Sequence, residues 1–402
     1  MQASLGLANL MRRHLAGEDL TPFGRSLLAR ATQDPNDAAS LFDAAIILQF
    51  LGNPALALQL QREALKLCRH YVIPAALPAR LRLLALMAPG ELMANVPIEC
   101  LLENSDIELH LHYAIPGETA PADLPEHDLL FVAIGESEAN HRLLTDWLPH
   151  LGIWPKPILN NPRHVARVAR DTAAQRLQGL PGIVMPPTWR IARETLRQLA
   201  DHRAPDPSLP AELDFPLILR PLDSHAGHDL SKTDTPTQLA EQLQVLPDDE
   251  FFVAPFIDYR SPDGHFRKYR VILIAGTPYA CHMGISSHWM IHYLNAGMAE
   301  SPAKRAEEAA FMADFEHAFA VRHGPALAAI DHAIGLDYLG IDCAELPDGR
   351  LLIFEVDHAM VVHAMDPVEL FPYKQPAMRK IFMAFRSMLL QAAASASSGT
   401  CR

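Results

Sequence analysis

The stretch LLIFEVDHAM at residues 351–360 places Glu355 and Asp357 two positions apart at the end of an apolar run. Strand side chains alternate faces, so Leu351, Ile353, Glu355 and Asp357 are expected on one face. The longer segment GLDYLGIDCAELPDGRLLIFEVDHAM reads as a hairpin turning at Pro347–Asp348–Gly349. In the simplest register Leu346 pairs with Leu351 and Asp342 lies opposite Glu355; a bulge would shift this by one. Asp342, Glu355 and Asp357 then converge on one patch of sheet. Facing like charges destabilise a sheet, by roughly a kcal/mol or more at protein dielectric. A basic side chain, a raised pKa or a divalent cation must compensate. A hard cation such as Mg²⁺ takes oxygen ligands and shares them with phosphates. The bland alternative is a solvated hairpin end with no ligand, which the apolar approach to Glu355 disfavours.

Two cations suit a phosphate. Arg220 ends the apolar strand FPLILRPL, and the polar, small-residue loop DSHAGHD follows it. Loop amides around Ser224, His225, Ala226 and Gly227 could cover a phosphate. Arg270 begins the apolar strand of KYRVILIAG. Each is a weak signal alone, because a strand-end arginine is more often a surface residue. The segment GISSHWMIHYLNAGM offers Ser287, His288, His292, Tyr293 and Asn295 for a substrate side, and His358 follows the hairpin acids directly. His288 and His292 have the i,i+4 spacing of a transition-metal site if helical. No third ligand is evident, so structural or substrate-contacting roles are expected.

Positioning these groups requires an ordered series of elements. Residues 38–71 hold two helical patterns around an LGNP turn, with Ala45, Ala57 and Ala64 where helices approach closely. The spacing fits either one tetratricopeptide-like repeat or a plain helical hairpin. From about residue 80 strands alternate with helices: RLRLLALMA, IELHLHYAI, HDLLFVAIG and PKPILN, with helices over SEANHRLLTDWLPHLG and NPRHVARVARDTAAQRLQGL. This alternation predicts a small open α/β domain. A new unit begins at PPT (186–188), with a helix near 190–203, strands at 215–222 and 250–258, and a hairpin around AGTP. A helix capped by Ser301 and Pro302 is expected to reach about His323, and a last helix spans about 376–392. The expected division is 1–78 helical, 79–185 α/β, 186–254 and 255–392 as two halves of one further domain, and 393–402 as a disordered tail.

The chain has 402 residues, 49% of them hydrophobic, an ordinary globular balance. A net charge of −13 disfavours a general nucleic-acid or anionic-membrane binder. Five cysteines without a CxxC pair point to reduced thiols and a cytoplasmic setting. No signal peptide is read at the N-terminus, where the basic residues follow the apolar stretch, and no run is long enough for a membrane span.

Taken in order, five segments resemble the ATP-grasp superfamily, most closely its glutathione-synthetase-like carboxylate–amine ligases. They are NNPRHVARVARDTAAQRLQGLPGIVMPPT, FPLILRPLDSHAGHDL, EFFVAPFID, KYRVILIAGTPYACHMGI and GIDCAELPDGRLLIFEVDHAM, within residues 80–390. The resemblance implies an α/β ATP-grasp fold behind a small open α/β domain and an N-terminal helical segment. It implies ATP and Mg²⁺ as cofactors, with Mn²⁺ an acceptable substitute. By position Asp342, Glu355 and Asp357 resemble the metal ligands, Arg220 a phosphate-binding lysine, and Ser224–Gly227 the mobile phosphate loop. Val253, Ala254, Pro255, Phe256 and Ile257 resemble the adenine-reading strand, Asp258 a ribose contact, and Phe354 a wall of the nucleotide pocket. Arg270 resembles the residue that contacts the γ-phosphate and the acyl phosphate. The sequence departs from the family at Thr172, where a nucleotide-contacting lysine is common, at Arg220, and at Asp357, where asparagine is usual.

The implied reaction joins a carboxylate to an amine through an acyl phosphate, releasing ADP and phosphate. The substrates would be small molecules or peptides, the N-terminal helices could recruit a protein or support a homodimer, and neither nucleic acid nor membrane is expected. Two alternatives stay open: a small-molecule kinase on the same fold, and a nucleotide-binding interaction protein without turnover.

Overall fold

The computed structural model describes residues 2–117, 124–201, 210, 213–222, 224 and 227–399. Strand β1 (Gln2–Ala3) leads into helices α1 (Gly6–Leu15), α2 (Thr21–Gln33), α3 (Ala38–Phe50) and α4 (Pro54–Leu67). Then come β2 (His70–Ile73), β3 (Leu81–Met87), α5 (Ile98–Leu102), β4 (Ile107–Tyr113), β5 (Leu129–Val132), α6 (Glu138–Leu151) and β6 (Ile158–Leu159). The six strands form one sheet in the order β1-β2-β4-β3-β5-β6, parallel except where β2 meets β4.

Apolar strands of this kind need cover on both faces. Alternate residues of β3 and β5 supply two cores. Leu84, Leu86, Leu130 and Val132 pack with Leu143 and Trp147 of α6. Leu83, Ala85, Leu129 and Phe131 pack with Leu10 and Phe42 of the N-terminal helices and with Ile381 and Phe385 near the C-terminus. The segment 1–78, expected to be helical, thus also contributes two strands and shares a core with the sheet. Ala45, Ala57 and Ala64 are buried in the α3–α4 hairpin.

The helix expected over 161–180 is broken. It forms α7 (Pro162–Val165), a 3₁₀ turn and α8 (Arg170–Leu177), because Ala169 is extended at φ −52° and ψ 136°. Next come β7 (Ile183–Val184), β8 (Trp189–Ala192), α9 (Arg193–Ala200), β9 (Leu217–Pro221), β10 (Ser231–Thr233), α10 (Pro236–Val245) and β11 (Glu250–Pro255). The helix expected from about 190 begins only at Arg193, since Trp189–Ala192 is claimed by antiparallel pairing with β11. The sheet β10-β9-β11-β8 is antiparallel and has its own core, which includes Ile191, Leu196, Leu219, Leu239 and Phe251.

The remaining elements are β12 (Phe266–Ile274), β13 (Thr277–Ser286), α11 (Pro302–Asp314), α12 (Phe319–Ile334), β14 (Tyr338–Glu345), β15 (Leu351–Asp357) and α13 (Lys374–Gly399). They build the sheet β13-β12-β14-β15-β7, in which only β15 and β7 are parallel. Ser301 caps α11 as expected, its Oγ accepting from Lys304 N at 3.4 Å. The helix expected to run on to His323 breaks after Asp314 and resumes as α12. Residues 393–399, expected to be disordered, continue α13.

The β14–β15 hairpin pairs Asp342 with Glu355, as expected. Nearer the turn Glu345, not Leu346, pairs with Leu351. The offset is absorbed at Phe354, which has no partner on β14. A one-residue bulge reverses the facing of the strand on its far side. Leu351 and Ile353 therefore lie on the opposite face from Glu355 and Asp357, whereas Asp342, Glu355 and Asp357 do share a face.

Candidate functional site

The four-stranded and five-stranded sheets contribute opposing walls of a cavity of about 600 Å³. Cross-strand pairing sets one row of side chains on its floor. Arg270 pairs with His282 on one side and Asp342 on the other, and Asp342 pairs with Glu355. His282, Arg270, Asp342 and Glu355 all line the cavity from four adjacent strands, each about 5 Å from the next. From the opposite wall β9 buries Leu217 and Leu219 in its own core and turns Ile218 and Arg220 to the cavity. In β11, Phe251 and Val253 go to the core, and Phe252 and Ala254 face the cavity.

Basic side chains compensate the acids. Arg270 donates to Asp342 through Nε at 2.7 Å and Nη2 at 3.0 Å, and Lys268 Nζ adds a third bond at 2.9 Å. Burial alone would raise the Asp342 carboxyl; the charges of Arg270 and Lys268 overcome it and hold the group far below the usual carboxylate range. Arg170 Nη2 donates to Glu355 Oε1 at 2.5 Å. Burial again opposes ionisation there, and Arg170 and Arg220 prevail, lowering the Glu355 pKa. Burial and the neighbouring Arg170 bring Arg220 down to about 9, so its charge lacks full compensation. Asp357 Oδ1 accepts from Ala359 N at 3.0 Å and lies 3.6 Å from His358 Nδ1.

Among the described residues no group of three or more His, Cys, Asp or Glu side chains is arranged to hold a metal ion. Asp342 is already bound by two cations. Glu355, itself bonded to Arg170, and Asp357 share one face of β15 at the cavity wall. A hard cation bound through one or two carboxylates and the oxygens of a phosphate ligand fits that donor set; an all-protein cage does not. Gly340, opposite Asp357, is required by close packing, since a Cβ would meet Met360 Sδ at 2.6 Å and the Asp357 carbonyl at 2.9 Å.

The other expected residues divide. Ala254, Pro255, Phe256, Ile257 and Phe354 line the cavity, whereas Val253 is buried in the core of its own sheet. Phe256 N donates to Pro216 O at 2.8 Å, and Pro255 has no N–H, so the Ile257 amide is the donor left in that stretch. Phe354 packs against Tyr259 with ring centroids 4.9 Å apart. Gly227 lines the cavity at φ +76°, its Cα side against Met290. The Ser224 hydroxyl caps the His228 carbonyl instead, and its own carbonyl accepts from Arg220 Nη1 at 3.4 Å. His225 and Ala226 lie outside the described residues.

His292 and Tyr293 line the cavity, whereas Ser287, His288 and Asn295 are exposed away from it. Asn295 closes a turn on His292 N at 3.0 Å. Residues 287–292 are not helical, so His288 and His292 do not share a helix face. Asp258 is exposed, folds its Oδ1 back onto Arg260 N at 3.0 Å and does not line the cavity. His358 is fully buried, its Nε2 2.9 Å from the Ile134 carbonyl, and ties the hairpin to the first sheet rather than reaching a substrate.

Several lining residues had no place in the sequence reading: Arg170, Lys268, His282, Lys374, and Met11 and Leu15 of α1. Arg170 stands two positions before Thr172 and brings a cation to Glu355. Lys268 was readable, because it shares a strand face with Arg270. Lys374 opens α13, 3.2 Å from Asp366 Oδ2 and 3.9 Å from the centroid of the Tyr293 ring.

No protein-family profile matches the sequence, and no curated protein matches it. The structure is similar to that of the VanG D-Ala:D-Ser ligase from Enterococcus faecalis, at 12% identity and a TM-score of 0.47, over 77% of this chain and 99% of that one. It is also similar to the D-alanine–D-alanine ligase from Coxiella burnetii, at 11% identity and a TM-score of 0.48, over 80% of this chain and 97% of that one. At this level of similarity neither assigns an activity to this chain; the described residues form a mixed α/β protein of three sheets, two of which wall the cavity.

Proposed function

We propose that the protein is an ATP- and Mg²⁺-dependent ligase that joins a carboxylate to an amine through an acyl phosphate, forming ADP and phosphate. The observation that carries this reading is the convergence of Arg170, Arg220, Lys268 and Arg270 with Glu355 and Asp357 on one cavity beside an apolar slot of Phe256, Ile257 and Phe354. The order of the five ATP-grasp-like segments supports it independently. The slot takes the adenine, with the Ile257 amide as donor. Arg170 and Arg220 take the phosphate chain, and Gly227 lines the cavity beside them. Glu355 and Asp357 would hold Mg²⁺, which neutralises charge on the transferred phosphoryl group. Arg270, fixed by Asp342, receives the γ-phosphoryl group as the substrate carboxylate attacks it, and steadies the acyl phosphate that forms. The acceptor amine then displaces phosphate from the acyl carbon. The chain supplies position and charge and no covalent nucleophile.

Incubation with ATP, Mg²⁺ and pooled amino acids tests this by product. ADP and phosphate are expected, and AMP with pyrophosphate would reject the mechanism. Glu355→Gln should abolish metal-dependent turnover, and undiminished turnover would remove Glu355 from the site.

A further inference from the structure

The cross-strand row has a direction. Glu355 stands at the end next to Arg170 and Arg220, Arg270 is in the middle, and His282 is one strand beyond it. If the acyl phosphate sits at Arg270, the acceptor must approach from the side away from the phosphates, which is the His282 side. His282 is held there. Its ring packs on Tyr293, with centroids 4.6 Å apart. Tyr293 is in turn anchored by its hydroxyl donating to the fully buried Glu308 at 2.8 Å. The one polar contact of the His282 side chain among the described residues is from Nδ1 to Cys281 Sγ at 4.0 Å. Nε2 has no protein partner there, and the residue lines the cavity.

We propose that His282 is the general base of the second half-reaction, accepting a proton from the ammonium form of the acceptor. The proposal rests on the ligase reading above. One acceptor proton goes to His282 Nε2. The freed amine lone pair forms the C–N bond at the acyl carbon, the C–O bond to phosphate breaks, and the phosphate leaves with that electron pair. A second amine proton goes to the departing phosphate, giving an amide, hydrogen phosphate and a protonated imidazole. The groups facing His282 are Arg270 and Lys268 on β12, Asp342 on β14, Lys374 on α13, and Tyr293 and Cys281 beside it. Burial first, then Arg270, Lys374 and Lys268 against the opposing Asp342, keep the imidazole neutral until the acceptor arrives.

The test compares two acceptors on the full-length protein and His282→Asn. Hydroxylamine is already unprotonated at neutral pH and needs no base, whereas an α-amino group must lose a proton first. The twenty common amino acids in both configurations serve as carboxylates, with hydroxylamine or the same panel as acceptor. His282→Asn should keep the wild-type rate of hydroxamate formation, which also shows that the variant folds and makes the acyl phosphate. Its rate of amide formation should fall by about 10²–10⁴-fold. Equal loss of both rates, or loss of neither, overturns the proposal. No hydroxamate from the wild-type protein would instead overturn the ligase reading, and this assignment with it.

Discussion

Replacing Asp342 by Asn tests whether cations compensate the hairpin acids. The substitution barely changes side-chain volume and removes one charge. Asp342 is 3% exposed and accepts three hydrogen bonds from Arg270 and Lys268, which are themselves 18% and 16% exposed. An amide there leaves two enclosed cations without a counter-charge and can turn an NH₂ donor toward them. Removing one partner of a buried ion pair costs about 3–5 kcal/mol. Local opening is the suitable readout, because a chain of several units need not unfold in one step. Hydrogen exchange of amides in β12 and β14 should quicken by roughly two to three and a half decades, at 1.4 kcal/mol per decade. The four-stranded sheet, with its separate core, should keep its protection. Adding Arg270→Met and Lys268→Met should recover much of the loss, since an apolar replacement of a buried ion group is often neutral or stabilising. Unchanged exchange in Asp342→Asn would show that these cations do not hold the carboxylate in solution.

Two further outcomes are expected. Arg170→Met removes a charge-assisted bond of about 1.5–3 kcal/mol, so steady-state kinetics should show kcat/KM for ATP reduced roughly 10- to 150-fold, with partial recovery in Arg170→Lys; wild-type kinetics would remove Arg170 from the nucleotide end. Far from the cavity, burial pushes Glu99 up to about 7 from an ordinary 4.5, although it accepts from Ala8 N at 3.1 Å. A raised carboxyl pKa means stability is fullest below 4.5 and is lost as pH rises toward 7, by about 3 kcal/mol at 1.36 kcal/mol per unit. Glu99→Gln keeps an acceptor for Ala8, so its melting temperature should match wild type near pH 4 and exceed it at pH 8; parallel pH profiles would contradict this.

The hairpin acids were legible because strand alternation and a turn fix faces over a few residues. The expected Asp342–Glu355 pairing holds although the register at the turn is off by one, because the bulge at Phe354 cancels the error just before Glu355. Arg170 was hidden inside an apparently continuous helical pattern, and the break at Ala169 has no composition signal. His282 needed the register of β12 and β13, which shifts between Arg270 and Val271. Ser287, His288 and Asn295 lie in a loop, where no periodicity says which way a side chain points, and the strand expected to carry Asp258 ends at Pro255. That Met11 and Leu15 reach the cavity depends on contacts over hundreds of residues, which local pattern does not encode.

The central claim is that a substrate carboxylate is phosphorylated before it meets the amine. Turnover with a carboxylate labelled in both oxygens with ¹⁸O, followed by mass spectrometry of the products, reads this directly. The account predicts one ¹⁸O in each inorganic phosphate released, one retained in the amide, and none in the nucleotide. Label in AMP, or amide formation with unlabelled phosphate, would contradict it.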